Sequence, residues 1–345
     1  MKRFFNIDFF RFLSAIGLVY FHLLHYNLPA RYIYEYTPLI NSTNTTYIIV
    51  ELFLIISGFF LYKTSHHEQS ILKFSTNRLV RLYPAFLFYA LLTLITSPYA
   101  AQFFWDNILM LQCTQIVPTC SGIIWFVAPF FWACILIYTI LKKFPKINKY
   151  IILILLIFGY FTMEYISNGY FNTFTPITPY LNFAMLRVIA GICAGVTIGF
   201  ISEKAQKIHI PNILLNITEI LCIVPIITHL FIRPVFSNDI YCVLIFSVFV
   251  FLLTLNKSII SRLTNRPTLG HLGRYAYCIY IMQQVSFDIL NHTPIAHHAS
   301  PNQTLVIYIL LSTLIGILTY YIAERPIIWL YRNFTSCKFL QTTHH

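Results

Sequence analysis

Charge is what this chain lacks. Only 10% of its 345 residues are Asp, Glu, Lys or Arg, whereas 58% are hydrophobic. Soluble domains average about 25% charged residues. That balance excludes a soluble enzyme or a large extramembrane domain and points to an integral membrane protein, so the lipid bilayer is its first partner. Acidic residues are scarcest, 11 against 23 Lys and Arg. A basic excess can serve nucleic acid, but in an apolar chain it reports topology, so no nucleic-acid partner is expected. The 8 cysteines form no CxxC pair and no ligand spacing, so no metal is expected. Repeats, low-complexity tracts and long linkers are absent. A single domain over 1–345 is expected, with no fused soluble domain, so any chemistry falls to helices and their ends.

What is present is apolar length. Runs at roughly 9–29, 47–63, 82–98, 123–141, 150–167, 181–201, 212–232, 239–256, 273–290 and 303–323 predict an all-α, polytopic membrane protein of about ten transmembrane helices. Placing the N-terminus inside puts 19 Lys and Arg on the inner segments and only Arg31 and Arg233 on the outer loops. By the positive-inside rule both termini are then cytoplasmic. The first run is too long and too polar for a removable signal peptide and has no small-residue cleavage site after it. Cys113 and Cys120, on one outer loop, form either a disulfide or two separate thiols.

Against so little charge, Arg11 and His22 in DFFRFLSAIGLVYFHLLHY stand out. Ionisable groups within a membrane-length run are costly and suggest function. Eleven steps of 100° make three turns plus about 20°, so both side chains share a helix face, roughly 16 Å apart along the axis. A permanent cation then sits near one surface and a titratable imidazole lies deep inside. A neutral imidazole is what a general base needs to take a hydroxyl proton. His25 lies about 40° off the same direction and is a rival on geometry.

Five further segments carry polar groups where apolar ones are expected. Arg78 and Arg81 in NRLVRLYP, spaced i, i+3 before the third run, suit phosphate oxygens or simply orient the helix. Glu51 in VELFLIISGFF lies at an outer depth near that of His22, from which a carboxylate could orient the imidazole. The Ser57-Gly58 pair behind it commonly serves close helix packing. Trp125, at the outer end of the fourth run, is either a belt anchor or a site residue, and Tyr280 and Gln283 lie in the outer half of the ninth. Glu324-Arg325-Pro326 closes the tenth. Glu164, Glu219, His229 and Asp288 read singly as structural.

Taken in order, these segments resemble the acyltransferase-3 family of membrane acyltransferases. FFNIDFFRFLSAIGLVYFHLLH is similar to the family's opening Arg-x10-His, Glu51 to Leu61 to its FFxxSGF stretch, and Arg78 with Arg81 to its R-x-x-R. Trp125-Phe126 matches the WF of standalone polysaccharide and surface-glycan acetyltransferases, and Ala276 to Gln283 and Glu324 to Pro326 match the C-terminal motifs. Two departures stand out. Gln283 occupies a position where many members have His, and WFVAPFFW lacks the glutamate that often follows the Trp.

The resemblance implies transfer of an acyl group, usually acetyl from acetyl-CoA, to a hydroxyl of a cell-surface or lipid-linked glycan at the bacterial cytoplasmic membrane. Arg11, Arg78 and Arg81 would hold acyl-CoA. Arg11, His22 and Glu51 would serve catalysis, with His22 as general base or transient acyl acceptor. Trp125, Tyr280, Gln283 and His25 would meet the acceptor. The rival class is a transporter or flippase of a glycan or glycolipid, for which intramembrane charges mark a solute path.

Overall fold

The computed structural model describes residues 3–27, 39–41, 43–67, 69–96, 104–114, 116–117, 122–173, 176–293 and 299–342. Ten helices occupy the ten apolar runs: α1 Phe5–His22, α2 Ile49–Ser65, α3 Ile71–Thr96, α4 Val127–Lys143, α5 Asn148–Ser167, α6 Phe183–Ala205, α7 Asn212–Phe231, α8 Asp239–Leu255, α9 Ala276–Asn291 and α10 Pro301–Thr319. An eleventh, α11 (Arg325–Thr342), continues α10 through a π-helical turn at Tyr320–Glu324. A short antiparallel pair, β1 (Pro176–Thr178) and β2 (Leu181–Asn182), leads into α6.

Among the described residues, seven helical segments are long and apolar enough to cross a membrane, including α10 with α11 as a single stretch over Asn302–Phe334. The ten expected spans are matched to that extent. α4, α8 and α9 have 17, 17 and 16 residues, at the lower end of usual span length, about 17. Two boundaries move in ways that matter. α3 starts at Ile71 rather than near 82, so Arg78 and Arg81 lie within a helix. α4 starts at Val127, which leaves Trp125 in the buried turn before it.

The bundle has two polar ends. At one, the Asn265 side chain accepts from the Phe5 amide (3.0 Å) and so caps α1. Lys63 pairs with Glu203 at 2.9 Å and Lys142 donates to the His67 carbonyl at 2.8 Å. Glu219 caps the short helix Ile259–Thr264, accepting from the amides of Ile260 and Ser261 (2.8 and 3.1 Å). At the other, Thr45 donates to the His229 carbonyl (2.6 Å) and Tyr47 to Asp239 (2.6 Å). His229 Nδ1 accepts from the Val235 and Phe236 amides, and Glu164 accepts from Asn238. Glu164, Glu219 and His229 therefore hold loops and helix ends, as their structural reading expected. Cys113 is disulfide-bonded, while Cys120 and Arg31 lie outside the described residues.

The tightest seam joins α2 and α6. Gly191, Gly195 and Gly199 form a stripe at i, i+4, i+8 on α6, and Gly58 faces it from α2. A Cβ at Gly195 would collide with the Ile55 carbonyl and one at Gly58 with the Ile192 carbonyl. Small residues in membranes let backbones approach where no hydrophobic effect drives helices together. Gly58 therefore serves packing, as its commoner use suggests. Gly195→Val is expected to cost roughly 1–3 kcal/mol or more by overpacking, read as a lower unfolding midpoint of the detergent-solubilised protein.

Candidate functional site

At the basic end, α1, α2, α3 and α11 enclose a basin of about 770 Å³. Six arginines line it, Arg3, Arg11, Arg78, Arg81, Arg274 and Arg332, against one carboxylate, Asp8. Asp8 is shared by Arg3 (3.3 Å) and Arg11 (3.7 Å), so positive charge remains in excess. Aromatic rings hold the guanidinium groups in place. Arg11 lies 5.4 Å from the Phe53 centroid and 5.9 Å from Phe60; Arg78 lies 5.3 Å from Phe74 and 5.9 Å from Phe130. The buried Arg11 Nε has no protein partner. An orphaned donor among clustered guanidinium forks fits a polyanion.

Glu324 lies in the π-helical turn behind this basin, where it accepts from the Cys278 thiol at 3.0 Å and couples electrostatically to Arg81 and Arg11. The closing Glu-Arg-Pro motif thus reaches the same arginines as the opening one.

Beyond the basin, a gap of about 10 Å³ is lined by Ala15, Leu18, Val50, Phe53, Phe126 and Tyr280. That is about the room one water needs, and every lining surface is apolar. Phe53 bridges its two sides, with its ring against Arg11 on one and 5.7 Å from Phe126 on the other. Phe126 meets Tyr280 at 4.8 Å, and Tyr280 meets His22 at 6.2 Å. Between the arginines and the imidazole, α1 is therefore flanked by a small apolar throat with room for about one water. Because α1 is helical without a break from Phe5 to His22, the shared face predicted for Arg11 and His22 holds.

His22 is 6% exposed and its Nδ1–H donates to Gln283 Oε1 at 3.0 Å. His25, in the π-helical turn Leu23–Asn27, has a different hydrogen-bond partner. Its Nε2–H donates to Thr43 Oγ1 at 3.3 Å, since the Thr43 hydroxyl is spent on the Leu39 carbonyl at 2.7 Å. Its ring lies 4.4 Å from Phe21. The structure therefore brings His22, Tyr280 and Gln283 together, and gives His25 a separate environment.

Glu51 does not take the place expected for it. Its two carboxylate oxygens accept from Arg187 Nε at 2.6 Å and from the Tyr160 hydroxyl at 2.7 Å, all fully buried or nearly so. The His22 imidazole instead meets Gln283, through Nδ1. Arg187 also donates to the Phe171 carbonyl at 3.0 Å and lies 5.4 Å from the Trp125 ring. Trp125, 5% exposed, is thus an internal residue rather than a belt anchor. Tyr280 spends its hydroxyl on the Ile123 carbonyl and so fixes the turn that carries Trp125 and Phe126.

Arg187 is the residue that sequence reasoning passed over. The signal was present, an arginine inside the apolar run FAMLRVIAG, and is the same signal that drew attention to Arg11. Arg187→Ala leaves Glu51 buried without its counter-charge and is expected to cost about 3–5 kcal/mol. Thermal unfolding in detergent checks this, and Glu51→Gln with Arg187→Gln together should recover part of the loss.

The model of the family described as an acyltransferase domain, acyltransferase-3, matches residues 4–321. No curated protein and no solved structure matches the chain. The matched span takes in the basin arginines Arg11, Arg78 and Arg81, the throat, His22 and Gln283. This polytopic helical bundle, with an arginine basin at one end of α1 and a buried imidazole at the other, is matched over nearly its whole length and belongs to the acyltransferase-3 family of membrane acyltransferases.

Proposed function

We propose that this protein is an O-acyltransferase of the bacterial cytoplasmic membrane, moving an acetyl group from cytoplasmic acetyl-CoA to a hydroxyl of a surface or lipid-linked glycan. The observation that carries the reading is the arginine basin and His22 set along one face of α1, with an apolar throat between them. Guanidinium forks suit the phosphates of CoA, and an apolar throat suits the slender arm that ends in the thioester. The positive-inside distribution supports placing the basin on the cytoplasmic side and His22 toward the other. Family membership favours acyl transfer over transport of a glycolipid.

In the proposed reaction His22 Nε2 takes the proton of the sugar hydroxyl as its oxygen attacks the thioester carbonyl. The tetrahedral intermediate then collapses, the C–S bond breaks, and the CoA thiolate leaves with the proton returned by the imidazolium. Trp125 and Tyr280 shape the place where acyl group and acceptor meet. Glu51 contributes by holding Arg187 and, through it, Trp125.

His22→Ala should abolish acetylation while the protein still inserts and elutes as a single species. Mass spectrometry of surface glycans from deletion and complemented strains reads the loss, and wild-type acetylation in that variant would overturn the assignment of the base. His25→Ala should be milder. An acetylated enzyme trapped with acetyl-CoA before any acceptor is added would replace direct transfer with a covalent route. Arg78→Ala and Arg81→Ala should each raise KM for acetyl-CoA roughly tenfold, the worth of one charge-assisted hydrogen bond, with KM for the glycan unchanged.

A further inference from the structure

Gln283 is buried to 0% exposure on α9, and its backbone carbonyl is held from α10 by the Tyr308 hydroxyl at 3.1 Å. Its side-chain oxygen accepts from His22 Nδ1. Its side-chain amide nitrogen, Nε2, is buried with no protein partner. A buried donor left unmade costs about 1–3 kcal/mol, so such a group in a packed interior marks a place where a ligand completes the bonding. Gln283 lies one helical turn beyond Tyr280, whose ring lines the throat. An acyl thioester emerging past Tyr280 would bring its carbonyl oxygen, a pure acceptor, to this orphaned NH2.

We propose that Gln283 works in both directions at once: its carbonyl holds the proton on His22 Nδ1, and its amide NH2 binds the oxygen of the reacting acyl group. A carbonyl can only accept, so His22 Nδ1 must carry the ring proton and Nε2 the lone pair. The imidazole is then held ready as a base, since a neutral ring has one donor and one acceptor nitrogen. The NH2 stabilises the oxyanion that forms when the sugar oxygen attacks, in the manner of a preorganised donor. No net charge is added to the buried site, in contrast to a carboxylate partner. The proposal rests on the acyl-transfer reading above and assigns within it a positioning role toward His22 and a direct one toward the acyl carbonyl.

The first measurement needs no turnover. Nitrogen-15 NMR of the full-length protein in nanodiscs, labelled at histidine, separates pyrrole-type from pyridine-type ring nitrogens, and the His22 signals are those lost in His22→Gln. Nδ1–H is expected in the wild type and a tautomeric mixture in Gln283→Leu. Nε2–H in the wild type, which an amide turned the other way would enforce, overturns the proposal, as does an unchanged tautomer in Gln283→Leu.

The second measurement is kinetic. Gln283→Leu should lower kcat about 100-fold or more, with KM for acetyl-CoA within about twofold, the signature of a lost oxyanion donor. Gln283→Glu keeps an oxygen for Nδ1–H but loses the amide donor, so it should retain the tautomer with kcat still reduced at least about tenfold. Wild-type kcat in either variant overturns the oxyanion role, and the Glu variant carries the test if Leu fails to fold. Nδ1–H in the wild type, lost in Gln283→Leu, in a protein that transfers no acetyl group would sink the reaction proposed above and not the His22–Gln283 pairing.

Discussion

Gly191, Gly195 and Gly199 allow α6 to lie against α2 almost backbone to backbone, and near one end of that seam the Glu51 carboxylate meets the Arg187 guanidinium at 2.6 Å. Each charge alone would be prohibitively costly in an apolar interior; together, with Tyr160 and the Phe171 carbonyl, they compensate one another, although Arg187 Nη2 has no hydrogen-bond partner among the described residues. Much of the site depends on this pair. Arg187 carries Trp125, the turn that holds Trp125 also holds Phe126, Phe126 packs on Tyr280, and Tyr280 packs on His22. A close helix approach is thereby transmitted as the position of an imidazole.

The remaining polar groups divide between two tasks that need opposite environments. The basin gathers six arginines around a single carboxylate and leaves positive charge uncompensated, which is what a polyanion requires. At the His22 end the buried polar groups are hydrogen-bonded to one another, His22 to Gln283, because an unpaired charge there would be prohibitive. The apolar throat between them separates the two regimes. The π-helical turns at Leu23–Asn27 and Tyr320–Glu324 lie at the two ends of this arrangement, one just past His22 and one carrying Glu324. Such turns recur at functional sites because they re-aim side chains within an otherwise regular helix.

Much of this was legible in the residues. The helices follow from apolar runs, and the common face of Arg11 and His22 follows from the 3.6-residue period, since α1 is unbroken between them. The pairing of Arg78 with Arg81 likewise needed only helical spacing, once α3 starts at Ile71. Glu51 shows where such reading stops. Depth arithmetic places it level with His22 but gives no azimuth, and the helix turns its carboxylate toward α6 and Arg187. His25 shows the same limit: the π-helical turn alters the register on which its predicted direction depended.

The sequence by itself determined an apolar, multi-helical membrane chain with a few costly polar groups, because composition and period act locally and bilayer thickness converts them directly into helices. It also determined which residues were expensive enough to matter. Only the tertiary structure decided their partners: Arg187 for Glu51, Gln283 for His22, Thr43 for His25, and Phe53 as the ring between basin and throat. Those choices depend on the rotation and closeness of helices far apart in the chain, set by the glycine seam and by the need of each buried polar group to be satisfied.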